Sequence, residues 1–370
     1  MDESQLYSQI YSFPKADLHI HVDGNIKKNL LWKLAREYGV RLPTDDEKEF
    51  EKLYTINPIN GVSLSEAEVL KRFAWPIAVM RHPEALKQIA YNQVLDLAKE
   101  NILYAEVRFA PGYHSKYPAP FYNPEDYEID KFPIMSLETV VEKVLSGLEK
   151  GMKETGTQVN LTLSIPRETI KYYGVESAYE IARLAIKYQD KGVVALGLDC
   201  NEAEFPPDPF YDAFRLTWGT KIRRDTHSGE MGPDDEYKLK NIMVCATSLL
   251  SDGQIHALPL SQNSEMVSRF KKLNIRLARN PWDWPEVRGT AEDGTDYLLK
   301  EKVLISLCSD DPALMQQSLT QGFVKMIKKY NWKEFEVNKI IANSVNSGFY
   351  RDKKQEKLVK EMFKARGIIL

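Results

Sequence analysis

Eight short apolar runs, each parted from the next by a longer amphipathic stretch or loop, constrain this chain most. They are Ala16–His21, Ile102–Ala110, Val159–Ile165, Val193–Asp199, Ile222–His227, Gly253–Ala257, Ile275–Asn280 and Val303–Asp310. Val159–Ile165 alternates apolar and polar residues; the others are mostly apolar throughout, as strands covered on both faces are. Between them, Pro83–Lys99 carries Leu86, Ile89, Ala90, Val94, Leu95, Leu97 and Ala98 at helical spacing, and Leu137–Glu154, Val175–Tyr188 and Ser264–Leu273 read the same way. Strands divided by helices of this length predict βαβ units and a parallel sheet. Eight is the number that closes a (β/α)8 TIM barrel. A doubly wound open sheet is the competing α/β arrangement, but no Gly-x-Gly-x-x-Gly follows an early strand.

A single barrel domain with insertions accommodates all 370 residues. The longest insertion, residues 25–100 after the first strand, exceeds one crossover helix; its Leu64–Ala74 portion reads as helical and suits a lid over the barrel mouth. Gly112–Asp130, rich in Tyr, Pro and charge, reads as an insertion loop, and Trp332–Arg366 as a pair of closing helices. A net charge of −3 argues against a general binder of nucleic acid or membrane surface. Three scattered cysteines suit a reducing compartment. The first residues lack the basic and apolar regions of a secretory signal, and no apolar run is long enough to cross a bilayer. A cytoplasmic protein acting on a small molecule is expected, with monomer and dimer both open.

Polar residues gather at the predicted strand ends, which in a barrel converge on one mouth. In the first strand His19 and His21, two apart, share a face. The fifth runs into Thr226-His227-Ser228-Gly229-Glu230, the sixth carries His256, and the eighth ends in Ser309-Asp310-Asp311-Pro312. Four of six histidines therefore sit at strand ends, while His82 and His114 fall in insertions and read as surface or loop residues. Singly, each has an ordinary explanation: a satisfied polar residue, or, for Asp310-Asp311-Pro312, a helix cap. Jointly, His19, His21, His227 and Asp310 suit one zinc ion per chain, with a position left for water, whose pKa falls to roughly 7 on a metal. His256 and the second oxygen of Asp310 are candidates to orient that water. Glu230, after a glycine that allows a tight turn, is the candidate acid, and Asp311 a candidate substrate contact.

These segments resemble the adenosine deaminase family of metal-dependent amidohydrolases: DLHIHVDG (Asp17–Gly24), YAEVRFAP (Tyr104–Pro111), THSGE (Thr226–Glu230), the His256 strand and SDDP (Ser309–Pro312). The resemblance covers nearly the whole chain in order. It implies that His19, His21, His227 and Asp310 hold zinc and that Glu230 protonates purine N1. It further implies that His256 orients the metal-activated water, Asp311 binds N7 and Asp23 contacts ribose. Three segments depart from the family pattern. Gly253-Gln254-Ile255-His256-Ala257 puts bulk at Ile255 beside the histidine, and Ala257 in place of glycine narrows the freedom of the turn. Asn280-Pro281-Trp282-Asp283-Trp284 replaces the usual end of the seventh strand. Cys200 stands where adenosine enzymes carry a glycine that touches the base, within a Gly197-Leu198-Asp199-x-x-Glu202 form closer to the adenine and modified-purine branch.

The expected activity is zinc-dependent deamination of a purine nucleoside, adenosine to inosine and ammonia; Asp23 favours a nucleoside over a free base. The alternatives are deamination of another aminopurine, a zinc hydrolase acting on a phosphotriester or ester, and a non-enzymatic binding protein. The pairing of Glu230 with His256 argues against the last, since a protein that only binds needs no acid.

Overall fold

The computed structural model describes residues 2–56, 66–281 and 294–370. Its eight strands are β1 (Lys15–His21), β2 (Ile102–Phe109), β3 (Gln158–Pro166), β4 (Val193–Asp199), β5 (Arg223–Ser228), β6 (Gly253–His256), β7 (Arg276–Arg279) and β8 (Leu304–Leu307). Each pairs in parallel with the next in chain order. The circle is drawn together past the end of β8. Ile20 bridges Asp310, the His21 amide donates to the Asp310 carbonyl (2.9 Å), and the Asp310 amide to that of His19 (3.1 Å). The Ser309 hydroxyl adds a 2.5 Å bond to the Asp17 carboxyl. This is the expected TIM barrel.

The last three strands stop earlier than the apolar runs do, and the backbone explains two of the three. His256, Ala257 and Asp310 adopt left-handed φ values of 63°, 43° and 63°, which cannot continue a strand. β7 ends one residue before the Asn280-Pro281 pair, whose proline has no N–H to offer a ladder.

The four expected helices form, as Pro83–Lys99, Leu137–Thr155, Glu176–Lys187 and Ser264–Leu273. Sequence patterning does not single out Glu3–Ser12, Asp235–Thr247 or Leu319–Tyr330. In Asp235–Thr247 the buried face includes Lys238 and Asn241, which breaks the apolar stripe. The first insertion contains Lys28–Tyr38, Glu47–Leu53 and Glu66–Met80. Leu64 and Ser65 lie outside the described residues, and the third helix continues through Pro76 beyond the expected end. The chain after Glu47–Leu53 reaches the barrel mouth, where Thr55 and Ile56 both donate to the Leu314 carbonyl. Within Gly112–Asp130 the chain makes short 3-10 turns at Pro111–His114 and Pro124–Tyr127. His114 is not a surface residue: its ring lies buried 5.7 Å from that of Phe109, and burial pushes its pKa down to about 3. His82 is half-buried, capping Pro83–Lys99 and stacked on Tyr38. Two helices, Glu334–Asn346 and Lys353–Lys364, end the chain.

Charged residues fill part of the barrel interior. Arg276 on β7 forks onto Glu106 of β2 (2.9 and 2.5 Å) and also reaches Asp225 of β5 (3.1 Å). Arg108 joins the same Asp225 oxygen (2.5 Å) to Asp199 at the end of β4 (3.1 Å). The Phe349 amide and the Tyr104 hydroxyl close the lower end on Glu106. All five charged side chains are buried. TIM-barrel interiors are usually filled by branched apolar residues; here an ionic chain rises from the floor toward the mouth.

Candidate functional site

β1 delivers His19 and His21 to the interior because strand side chains alternate. Their ring centres lie 4.9 Å apart, and that of His227, near the end of β5, lies 4.7 Å from His19. The left-handed turn at Asp310 brings its Oδ1 to 2.9 Å from His19 Nε2 and 3.5 Å from His21 Nε2. One donor atom from each of these four residues lies within 4.8 Å of all the others. Burial lowers the pKa of His19 and takes that of His21 down to about 4, so both rings are neutral, the form that binds a metal.

The surroundings orient these donors. Asp199 holds His227 Nδ1 at 2.9 Å, which leaves Nε2 as its available donor. Burial works to raise the Asp199 carboxyl, but His227 and Arg108 outweigh it and hold it well below the usual range. Asn280 Nδ2 donates to Asp310 Oδ2 (3.0 Å), so the second Asp310 oxygen already has an amide partner. Three imidazoles, one carboxylate and an aspartate behind one imidazole fit a zinc ion by donor chemistry.

Glu230 stands beside this cluster, its Oε2 3.5 Å from His256 Nε2. Its loop is held by Glu202, which accepts from the backbone amides of Gly229 (2.8 Å), Glu230 (2.9 Å) and Met231 (3.2 Å). Gly229 has φ +64°, and a Cβ there would lie 2.5 Å from the Ile242 side chain, so glycine is favoured at the turn. Strand alternation alone would aim His256 outward, as it does Gln254, which donates to the Ile242 carbonyl. The left-handed backbone instead turns its ring to within 5.2 Å of that of His227. Ala257 takes the left-handed form without a glycine, and Arg279 secures the turn by donating to the His256 carbonyl. Ile255, the bulk next to the histidine in sequence, packs with Ala278 and Cys308.

The expected substrate contacts rim the same mouth. Asp23 Oδ1 is 3.8 Å from His21 Nδ1, and burial pushes its pKa up to about 6. Asp311 precedes the helix Pro312–Met315 but its carboxyl does not cap it. It approaches Gly24 so closely that a Cβ there would lie 1.6 Å from Asp311 Oδ1. Cys200, just past β4, is half-buried with φ 76°, a glycine-like conformation, and its Sγ lies 3.5 Å from Tyr113 Oη. Trp282, Asp283 and Trp284 lie outside the described residues. Sequence reading misses Glu106, Arg108, Glu168, Asp225 and Arg276, and the supporting roles of Asp199 and Glu202. Charges set inside apolar runs, as in Glu106 and Arg108, were the available signal.

Comparison with known proteins agrees. The family model described as Adenosine deaminase matches residues 14–365. The adenosine deaminase of Clostridium perfringens (strain 13 / Type A) is 27% identical over 352 residues, covering 94% of this chain and 98% of its own length. Among solved structures, the adenine deaminase from Arthrobacter aurescens superposes with a TM-score of 0.78 at 20% identity, covering 96% of this chain and 99% of that one. The N6-methyl-AMP deaminase from Arabidopsis thaliana gives 0.77 at 22% identity, with 98% and 99% covered. Matched over nearly all its length, this chain belongs to the adenosine deaminase family.

Proposed function

We propose that the protein deaminates a purine nucleoside hydrolytically, converting adenosine and water to inosine and ammonia. The observation that carries this reading is Glu230 beside His256, 3.5 Å apart and both next to His227 of the His19–His21–His227–Asp310 cluster, an acid and a base on one reacting centre. Zinc, when held by those four residues, supplies the Lewis acidity that makes water nucleophilic at neutral pH. Glu230 delivers a proton to N1 of the purine, which makes C6 electron-poor. His256 takes the proton from the attacking water. Asp311 fixes the ring through N7 and Asp23 holds the sugar. His256 then returns its proton to the departing amino group and Glu230 takes one back from the C6 hydroxyl, so that loss of ammonia leaves inosine. The Clostridium relative is named for adenosine, whereas the structural neighbours are named for adenine and N6-methyl-AMP. Cys200 and the Gly-Leu-Asp-x-x-Glu form favour, as a second reading, another aminopurine of that kind.

The test is the ultraviolet absorbance of adenosine mixed with purified protein, before and after chelation and on restoring zinc. Zinc-dependent conversion to inosine is expected. Failure with adenosine, adenine and N6-methyl-AMP alike, at a full zinc equivalent, would overturn purine deamination.

A further inference from the structure

One buried acid near the mouth has no place in the reaction above. Glu168 follows β3, is 8% exposed, and accepts a hydrogen bond from the Tyr113 hydroxyl through Oε1. Its Oε2 is buried and has no hydrogen-bond partner among the described residues. A buried acceptor left so costs on the order of 1–3 kcal/mol, so a bound ligand that brings a donor gains by satisfying it. Tyr113 belongs to the turn after β2 and also touches Cys200 after β4. Glu168, Tyr113 and Cys200 thus form one polar wall at the ends of β2, β3 and β4. Arg167 beside it is fully buried, its guanidinium donating to the Phe205 and His227 carbonyls.

The barrel order locates this wall against a bound purine; the placement rests on the reading just proposed. Glu230 at N1 follows β5, and Asp311 at N7 follows β8. With C6 toward the metal cluster, the ring runs outward from N1 through C2 and N3 to the N9 substituent. The strands from β5 back to β1 run in the same sense, so β2–β4 face the edge between N3 and N9. Adenine presents no donor on that edge: N3 is an acceptor and C2 carries only hydrogen. The 2′-hydroxyl of a ribose on N9 lies beside N3 and is a donor.

The geometry points to Glu168, braced by Tyr113, as a specificity residue that accepts the 2′-hydroxyl of a ribonucleoside. A hydrogen bond to a carboxylate is worth roughly 10- to 100-fold. The holoenzyme should therefore favour adenosine over 2′-deoxyadenosine by that factor in kcat/KM. In Glu168→Gln the ratio should fall to within about threefold of one. Tyr113→Phe, which frees the carboxylate without removing it, should lower the ratio by less. Calorimetric titration with inosine and 2′-deoxyinosine reads the same preference without turnover, and melting temperature and metal content report whether each variant folds. Equal turnover of the two nucleosides by the wild type would overturn the assignment. So would a Glu168→Gln loss of the same size for both, since that residue would then be reading the base. Neither result would touch purine deamination, which fails only if the wild type itself turns over no aminopurine.

Discussion

Glu230→Gln is expected to lower adenosine turnover by at least about 100-fold, the usual contribution of a positioned acid, while zinc content stays at one equivalent. The amide is nearly isosteric but has no proton to give to N1. The loop should keep its shape, because Glu202 holds it through backbone amides rather than through the Glu230 side chain. Steady-state kinetics with metal analysis on the same sample checks this. Turnover within a few fold of the wild type would assign the acid elsewhere. Loss of metal would instead place Glu230 among the ligands, as its 4.8 Å grouping with His227 and His256 would allow.

The largest effect on stability is expected from Asp225→Ala. Its Oδ2 takes hydrogen bonds from both Arg108 (2.5 Å) and Arg276 (3.1 Å) at the centre of the interior chain. Removing it strips one carboxylate from two buried guanidiniums, leaving Arg276 with Glu106 and Arg108 with Asp199. Breaking one buried ion pair in this way costs about 3–5 kcal/mol. The damage should also travel upward. Arg108 helps hold Asp199, which holds His227, so metal affinity should weaken along with the fold. Urea unfolding at fixed zinc concentration measures the first effect and a competitive chelator titration the second. A change below about 1 kcal/mol would mean that Asp225 contributes no net stabilisation.

The legible part of this molecule was what repeats along the chain. Alternation in β1 places His19 and His21 on one side, and the eight apolar runs indicate the barrel. Reading by alternation alone broke down where the backbone turned left-handed. His256 is the clearest instance: period two aims it outward, and a single φ of 63° turns it in. Pattern reading also cannot pair charges across the barrel. Arg276 meets Glu106 across 170 residues of sequence, and Arg108 meets Asp199 across 91. Each was visible as a charge inside an apolar run, but its partner was set by strand order and register. Glu168 carried no such mark, since an acid just after a strand is ordinary until burial isolates one of its oxygens.

The interior chain also has a bearing on which cations this barrel can tolerate. From the floor to the mouth, Glu106, Asp225, Asp199 and Asp310 alternate with the two guanidiniums of Arg276 and Arg108. These four acids outnumber the two guanidiniums, so the column favours a bound cation at the mouth over an empty site. Stripped protein is expected to melt lower than the zinc form through repulsion along the column, and sodium should not restore what zinc does.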